Sequence, residues 1–200
     1  MTDTTTFDLG PQARVVARLA EGVADARLAD RTPCPDYAVS DLLGHLTGLT
    51  VAFRDAARKD LGSTTDTAPG AAAPALPDDW RKVLPQVLDE LAEAWRDPSA
   101  WTGMTRAGGV DLPGEIAAAV AVDELVIHGW DLARATGQEY VPDESALRAS
   151  HEFLLAAAED DTRGGGIFGA VVPVPDDAPL LDRAVGLSGR DPSWTPPTTP

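Results

Sequence analysis

Residues 115–136, EIAAAVAVDELVIHGWDLARAT, carry the most apolar helical pattern in the chain. No Pro interrupts the stretch, and Gly137 follows it directly. Gly readily adopts the left-handed backbone conformation in which many helices end. The pattern therefore predicts a long and largely buried helix that begins near Glu115 and ends at about Thr136.

Apolar side chains spaced by three and four residues predict several further helices. Ser40 is placed to cap the second of them, and Pro85 falls inside the third, where we expect a kink or a late start. Residues 97–114 are Gly-rich and irregular, a pattern compatible with a short hairpin. The other predicted helices span residues 9–27, 40–59, 78–96, 143–159 and, for a short last helix, 178–187.

With little strand signal, the chain is predicted to be all-α, an antiparallel four-helix bundle with extra short C-terminal helices. We expect residues 1–200 to form one domain. Residues 61–76 are rich in Gly, Pro, Thr and Ala, which predicts a mobile surface connection. The RGGG sequence at residues 163–166 should break the chain before an extended tail near residues 167–200, whose Pro content argues against a central strand.

The overall charge excludes several kinds of partner. The 200 residues include 16 Lys and Arg against 32 Asp and Glu, a formal net charge of −16. Such a surface repels phosphate backbones and anionic lipid, so we expect neither nucleic acid nor a membrane as partner. No secretory signal or membrane-spanning run is visible, which predicts a cytoplasmic protein. We expect a monomer or homodimer that acts on a small molecule.

His45 lies in the apolar stripe of the second predicted helix, between Leu42 and Leu49. An imidazole buried without a partner is unfavourable, so the ring must meet an acceptor, a charge or a metal. One interpretation is a core histidine bonded to a backbone carbonyl. The other is a metal ligand that points into the bundle.

A second set of polar groups shares one face of the fourth predicted helix. Glu124, His128 and Asp131 are separated by four and three residues, so their side chains lie on one side of that helix. Glu124 and His128 together with His45 would make three ligands of an open metal site, with the fourth position left for water or substrate. The alternative is a Glu124–His128 ion pair within the helix, with His45 satisfied separately.

The remaining candidates carry weaker signals. Cys34 is the only cysteine, which excludes an internal disulfide framework and a multi-cysteine zinc cluster. It is a candidate soft ligand or reactive thiol, but the pattern favours a small buried hydrophobe. His151 could face the same cavity, although a structural role is the favoured interpretation.

Several motifs resemble a known family. Residues 32–37, TPCPDY, and 39–46, VSDLLGHL, are similar to the N-terminal motif of the mycothiol-dependent maleylpyruvate isomerase family, which belongs to the DinB-like metal-binding superfamily. Residues 123–137, DELVIHGWDLARATG, resemble a later helix of that family. Phe168-Gly169 and residues 189–192, GRDP, resemble the tail of its metal-binding members.

This resemblance implies a DinB-like four-helix bundle that holds a divalent metal, typically zinc. In this sequence the family's metal ligands fall on His45, Glu124 and His128. The implied chemistry is that of a small thiol, such as mycothiol, which is activated at the metal for S-transfer or isomerisation.

Two other functions remain open at this stage. Metal-activated water could attack a substrate, with Asp131 or Glu124 as the base. The second function is that of a non-catalytic helical bundle that binds a metal or another ligand. A fourth protein ligand to the metal, from Asp131, His151 or Cys34, would favour this alternative. If the protein is an enzyme, we expect Asp131 to act as a catalytic residue, either at the substrate or behind His128.

Overall fold

A computed structural model describes residues 6–68, 74–158 and 168–197. The strands β1 (Met104–Ala107) and β2 (Val110–Pro113) pair as an antiparallel hairpin. The helices are α1 (Gly10–Glu21), α2 (Val39–Arg58), α3 (Trp80–Ala94), α4 (Gly114–Thr136), α5 (Glu144–Ala158) and α6 (Leu180–Leu187).

The helices α1 to α4 form the bundle around the main hydrophobic core. Helix α1 packs on α3 and α4, and α2 also packs on α3 and α4, so the order around the bundle is α1, α3, α2, α4. Helix α5 covers the outer side of α4, and α6 packs on α5. The predicted all-α bundle is confirmed.

Helix α4 is buried on almost every side because it lies between α1, α2 and α5. This explains why apolar residues occur on all sides of this helix and are not confined to one face. The helix ends as predicted, with Gly137 at a positive φ of 72°. Since α2 and α4 are neighbours, side chains from the two helices can meet inside the bundle.

The starts and ends of several helices differ from prediction. Helix α1 ends at Glu21, and only a 3₁₀ turn at Asp25–Arg27 follows, whereas the sequence predicted a helix to residue 27. The prediction that Ser40 caps α2 is wrong: the helix starts at Val39, and the carboxylate of Asp41 accepts the backbone N–H of Ala38 at 3.0 Å.

Pro85 does not delay the start of α3, which begins at Trp80 and continues past it. The predicted hairpin within residues 97–114 is present as β1 and β2. The predicted chain break at residues 163–166 lies outside the described residues.

The connection after α2 is more closely packed than its composition suggests. Thr65 is fully buried, and its carbonyl accepts the backbone N–H of Gly109 in the hairpin at 2.9 Å. At the other end of the connection, the carbonyl of Pro74 lies directly over Gly44 of α2. The connection is therefore anchored at Thr65 and at Pro74, although most of its described residues are exposed. Among the described residues, no helix combines the length and apolarity needed to cross a membrane.

Candidate metal centre

His45, Glu124 and His128 meet between α2 and α4. One potential ligand atom from each lies within 4.8 Å of the other two. Glu124 Oε2 is 3.0 Å from His128 Nε2 and 3.5 Å from His45 Nε2. The two imidazole rings stand nearly perpendicular, with centroids 4.9 Å apart. The site thus combines two side chains from one turn of α4 with a single side chain from α2.

The Glu124 carboxylate is poorly aligned with the two imidazoles for hydrogen bonding. Its Oε2 atom is buried and has no hydrogen-bond partner, although two imidazole nitrogens lie close to it. A buried carboxylate oxygen without a hydrogen bond is strongly unfavourable. The three atoms thus lie close together without a well-aligned hydrogen bond to Oε2, an arrangement that a bound cation would stabilise.

The spacing of these atoms suits a small divalent cation. Zinc binds nitrogen and oxygen at about 2.0–2.1 Å, so neighbouring ligands of a tetrahedral ion are about 3.4 Å apart. Two of the three separations, 3.0 and 3.5 Å, fall on either side of that value, and the third is within 4.8 Å. Imidazole and carboxylate are also ligands that zinc accepts. The donor set therefore fits the group that the resemblance implies.

Without a metal, Glu124 and His128 affect each other's pKa. Burial alone would raise the pKa of Glu124, but the two imidazoles hold it below its usual range. Burial would lower the pKa of His128, but Asp131 and Glu124 raise it to about 9. In the metal-free protein a proton on His128 thus compensates part of the carboxylate charge. A dication would take over that role and displace the proton.

Asp131 lies behind His128, on the side away from Glu124. Its Oδ2 atom is 2.9 Å from His128 Nδ1, and the side chain is fully buried. The Arg190 guanidinium donates to both carboxylate oxygens, at 2.9 to 3.0 Å. Asp131 is therefore not an exposed helix residue, and its oxygens are directed at His128 and Arg190. Arg190 belongs to the tail motif identified by resemblance, but nothing in the sequence indicated its contact with the site.

Tyr37 is a second residue that sequence reasoning missed. Its hydroxyl lies 3.5 Å from His45 Nδ1, and the two ring centroids are 5.0 Å apart. The bridge between Arg31 and Ala38 closes the loop that carries it. Tyr37 follows Cys34-Pro35-Asp36 in the quoted motif, so its place in that motif was the available signal.

Cys34 and His151 do not join the three candidate ligands. Cys34 is partly buried, and burial together with Asp131 raises the pKa of its thiol. A raised pKa disfavours the reactive thiolate, which agrees with the favoured interpretation. His151 lies on α5, where burial and the charge of Arg183 lower its pKa.

A buried and a partly buried side chain hold the turn of α4 that carries the ligands. Gln12 donates to the carbonyl of Leu125 at 3.0 Å, and the Tyr140 hydroxyl donates to the carbonyl of Val126 at 2.6 Å. Both carbonyls lie between Glu124 and His128 in the sequence. These contacts from α1 and from the α4–α5 loop fix that turn relative to the rest of the bundle.

Known proteins resemble this chain in sequence and in fold. Two uncharacterized proteins of Mycobacterium tuberculosis, from strains CDC 1551 / Oshkosh and ATCC 25618 / H37Rv, are each 24% identical over 175 residues, which cover 87% of this chain and 91% of each relative. Crystal structures of the mycothiol-dependent maleylpyruvate isomerase and of a histidine-to-alanine mutant of it match with a TM-score of 0.56.

The structural matches are 18% and 19% identical and cover 73% of this chain, which spans 66% of the isomerase chain. At that identity the likeness shows the fold alone. The sequence model described as mycothiol maleylpyruvate isomerase N-terminal domain matches residues 9–133, which is more than half of the chain. The chain therefore belongs to the mycothiol maleylpyruvate isomerase N-terminal domain family.

Proposed function

We propose that this protein is a metal-dependent enzyme that activates a low-molecular-weight thiol, mycothiol in the first place, for S-transfer or isomerisation. His45, Glu124 and His128 would hold the metal, most simply zinc. The main support for the proposal is the buried Glu124 Oε2 atom. It lies close to two imidazole nitrogens but has no well-aligned hydrogen bond. Membership of the family supplies the thiol and the reaction type.

The charge at the site favours an incoming thiolate. A divalent metal bound there would lower the pKa of a thiol, so that the nucleophilic thiolate predominates near neutral pH. Two neutral imidazoles and one carboxylate leave a net charge of +1 with a dication. The net charge of −16 repels anions, but salt screens that repulsion beyond about 8–10 Å. The local positive charge therefore dominates at the site.

The residues around the site would orient the ligands. Asp131 accepts the Nδ1 proton of His128, which leaves Nε2 free to face the candidate metal position. Glu124 is about one quarter exposed, while its Oε2 atom is buried. His45 is exposed to a similar degree. Small molecules can therefore approach from the side of His45 and Glu124, since His128 and Asp131 close the opposite side.

An isomerisation needs only this thiol nucleophile. A thiolate would add to one carbon of a double bond conjugated to a carbonyl, and the electron pair of that double bond would move onto the carbonyl as an enolate. The former double bond is then a single bond, about which the substrate can rotate. Loss of the thiolate then restores the double bond, and the thiol is released unchanged. S-transfer would use the same addition, but the adduct's enolate would take up a proton from water instead of expelling the thiolate. The substrate would thus be a small electrophile with an activated carbon.

The structure gives less support to a closed, non-catalytic metal site. A structural zinc normally has four protein ligands. Within the described ranges no fourth His, Cys or carboxylate joins the three candidate ligands, and Asp131 is directed at Arg190. An open position favours a site that binds a small molecule.

The test combines metal analysis with a spectroscopic thiol titration. Purified protein should contain about one metal ion per chain, and His45→Ala should lose it. His151→Ala is the matched control, because this histidine lies outside the candidate ligands and should keep the metal. Full metal content in His45→Ala would show that the proposed ligand set is wrong.

The thiol role is tested on the cobalt-substituted protein. Mycothiol should produce a sulfur-to-metal charge-transfer band in wild type and in His151→Ala, but not in His45→Ala. Glutathione and cysteine serve as comparison thiols. If none of the three thiols produces the band while cobalt is bound, the thiol role is refuted and the water-activating or the non-catalytic alternative takes its place.

A further inference from the structure

Arg190 reaches the candidate metal centre from the other end of the chain. It lies 59 residues after Asp131, beyond the end of α6. Its side chain is only 15% exposed, and Nε and Nη2 both donate to the Asp131 carboxylate. A guanidinium bound to both oxygens of a carboxylate fixes the plane of that carboxylate as well as its position. The contact is therefore more specific than a general attraction between charges.

The backbone around Arg190 is built to hold it in place. Gly189 has a φ of +86°, and a Cβ atom there would come within 2.8 Å of the Gly169 Cα. Only glycine fits this close crossing of the two tail segments. The backbone N–H of Arg190 donates to the carbonyl of Val185 at 3.1 Å, which ties it to α6. The side chain thus starts from a defined position.

The orientation of Asp131 matters because one of its oxygens lies against His128. Oδ2 is 2.9 Å from His128 Nδ1 and also accepts from Arg190. With its carboxylate fixed in this way, Asp131 accepts the Nδ1 proton, and Nε2 is left to face the candidate metal position. The described contacts thus form a continuous chain from Arg190 through Asp131 to one of the three candidate ligands.

We infer that Arg190 is a positioning residue for the metal centre, acting through Asp131 on the orientation of His128. The inference rests on the proposed metal site, and it extends that site beyond the part of the chain that the family model matches. That match ends at residue 133, whereas Arg190 lies in the C-terminal tail. The tail thereby becomes part of the metal centre.

A general anchoring role for the tail is the competing explanation, and the chain offers a control for it. Arg134 of α4 also binds the tail, since its Nη2 atom donates to the carbonyl of Pro192 at 3.0 Å. In the described part of the structure, Arg134 forms no hydrogen bond with Asp131. Loss of Arg134 should therefore loosen the tail without disturbing the carboxylate.

The test measures cobalt affinity and the cobalt absorption spectrum in the full-length protein, by competition with a chelating indicator. Arg190→Gln should weaken cobalt binding about 10–100-fold and alter the spectrum, as loss of such supporting contacts does in other metal sites. Arg190→Lys keeps the charge and should recover part of the loss. Arg134→Gln should stay within about threefold of wild type and keep the wild-type spectrum.

A double-mutant comparison tests whether Arg190 acts through Asp131. In an Asp131→Asn background, Arg190→Gln should weaken cobalt binding little further, because the contact is already lost. Additive losses would overturn the inference. So would unchanged cobalt binding in Arg190→Gln, or an equal loss in Arg134→Gln.

The outcomes separate this inference from the proposed function. Wild type that binds no cobalt would refute the metal site itself. Cobalt binding by wild type with no effect of Arg190 would refute only the role of Arg190. If Arg190→Gln does not fold, Arg190→Lys against Arg134→Lys makes the same comparison, and equal cobalt affinities would overturn the inference.

Discussion

Replacing Asp131 by Asn should destabilise the metal-free protein much more than a surface substitution does. The change keeps the shape of the side chain but removes its negative charge. Asp131 is fully buried, and Arg190 is 15% exposed, so the guanidinium would be left in a largely buried position without its counter-ion. Loss of one partner of a buried pair costs about 3–5 kcal/mol. In a chain of this size that corresponds to a fall in Tm of roughly 6–20 °C.

Urea unfolding in the presence of a chelator measures this effect without any contribution from bound metal. Asp111→Asn is the matched control, because Asp111 pairs with Arg106 on the exposed hairpin, at 2.8 Å. An exposed pair is worth about 0.2–1 kcal/mol. The reasoning is refuted if the two variants lose the same free energy of unfolding, or if Asp131→Asn loses less than about 1 kcal/mol.

The pH dependence gives an internal check on the same prediction. Burial would raise the pKa of Asp131, but Arg190 and His128 lower it below its usual value. The unfolded chain therefore takes up a proton at a higher pH than the folded chain does. The stabilisation is complete above the usual Asp pKa of about 3.9 and is lost as the pH falls through the folded value. The difference between wild type and Asp131→Asn should shrink accordingly in acid.

Three further predictions concern the surroundings of the site. Gly44→Ala should lower the free energy of unfolding by more than about 1 kcal/mol, because the new Cβ would lie 2.2 Å from the Pro74 carbonyl oxygen. Gly62→Ala is the control and should be tolerated, because nothing lies within 4 Å of its Cβ position. Equal urea midpoints for the two variants would contradict this prediction. Burial raises the pKa of Asp123 to about 7, so the free energy of unfolding of the metal-free protein should fall as the pH rises from about 4 to 7. Asp123→Asn should reduce this dependence on pH. An unchanged pH dependence would show that another group causes it. Tyr140→Phe removes the hydroxyl that donates to the Val126 carbonyl. It should lower the free energy of unfolding in urea by about 1–3 kcal/mol. An unchanged free energy of unfolding would mean that this contact does not hold α4.

The sequence allowed the three candidate ligands to be predicted because each lies at a regular helical position. Glu124 and His128 are one turn apart, and His45 interrupts an apolar stripe, so helix geometry alone places them on inward faces. The end of α4 was predictable for a similar reason, since Gly137 is a local signal.

The contacts that support the ligands depend on the tertiary structure. Arg190 is 59 residues from Asp131, and no local periodicity connects the tail to α4. The close approach of Pro74 to Gly44 likewise depends on how a loop crosses a helix. Ser40 was mistaken for a cap because propensity favours Ser, while the structure uses the Asp41 carboxylate. Long-range packing decided the first two cases, whereas the start of α2 was decided by a competing local side chain.

X-ray absorption at the zinc edge tests the central claim most directly, because it identifies the atoms bound to the metal. Zinc-loaded protein without thiol should show only nitrogen and oxygen neighbours, at about 2.0–2.1 Å, with the signature of two imidazoles. Saturation with mycothiol should add one sulfur at about 2.3 Å and leave both imidazoles in place. Sulfur bound before mycothiol is added, fewer than two imidazoles, or no sulfur at saturating mycothiol would contradict the account.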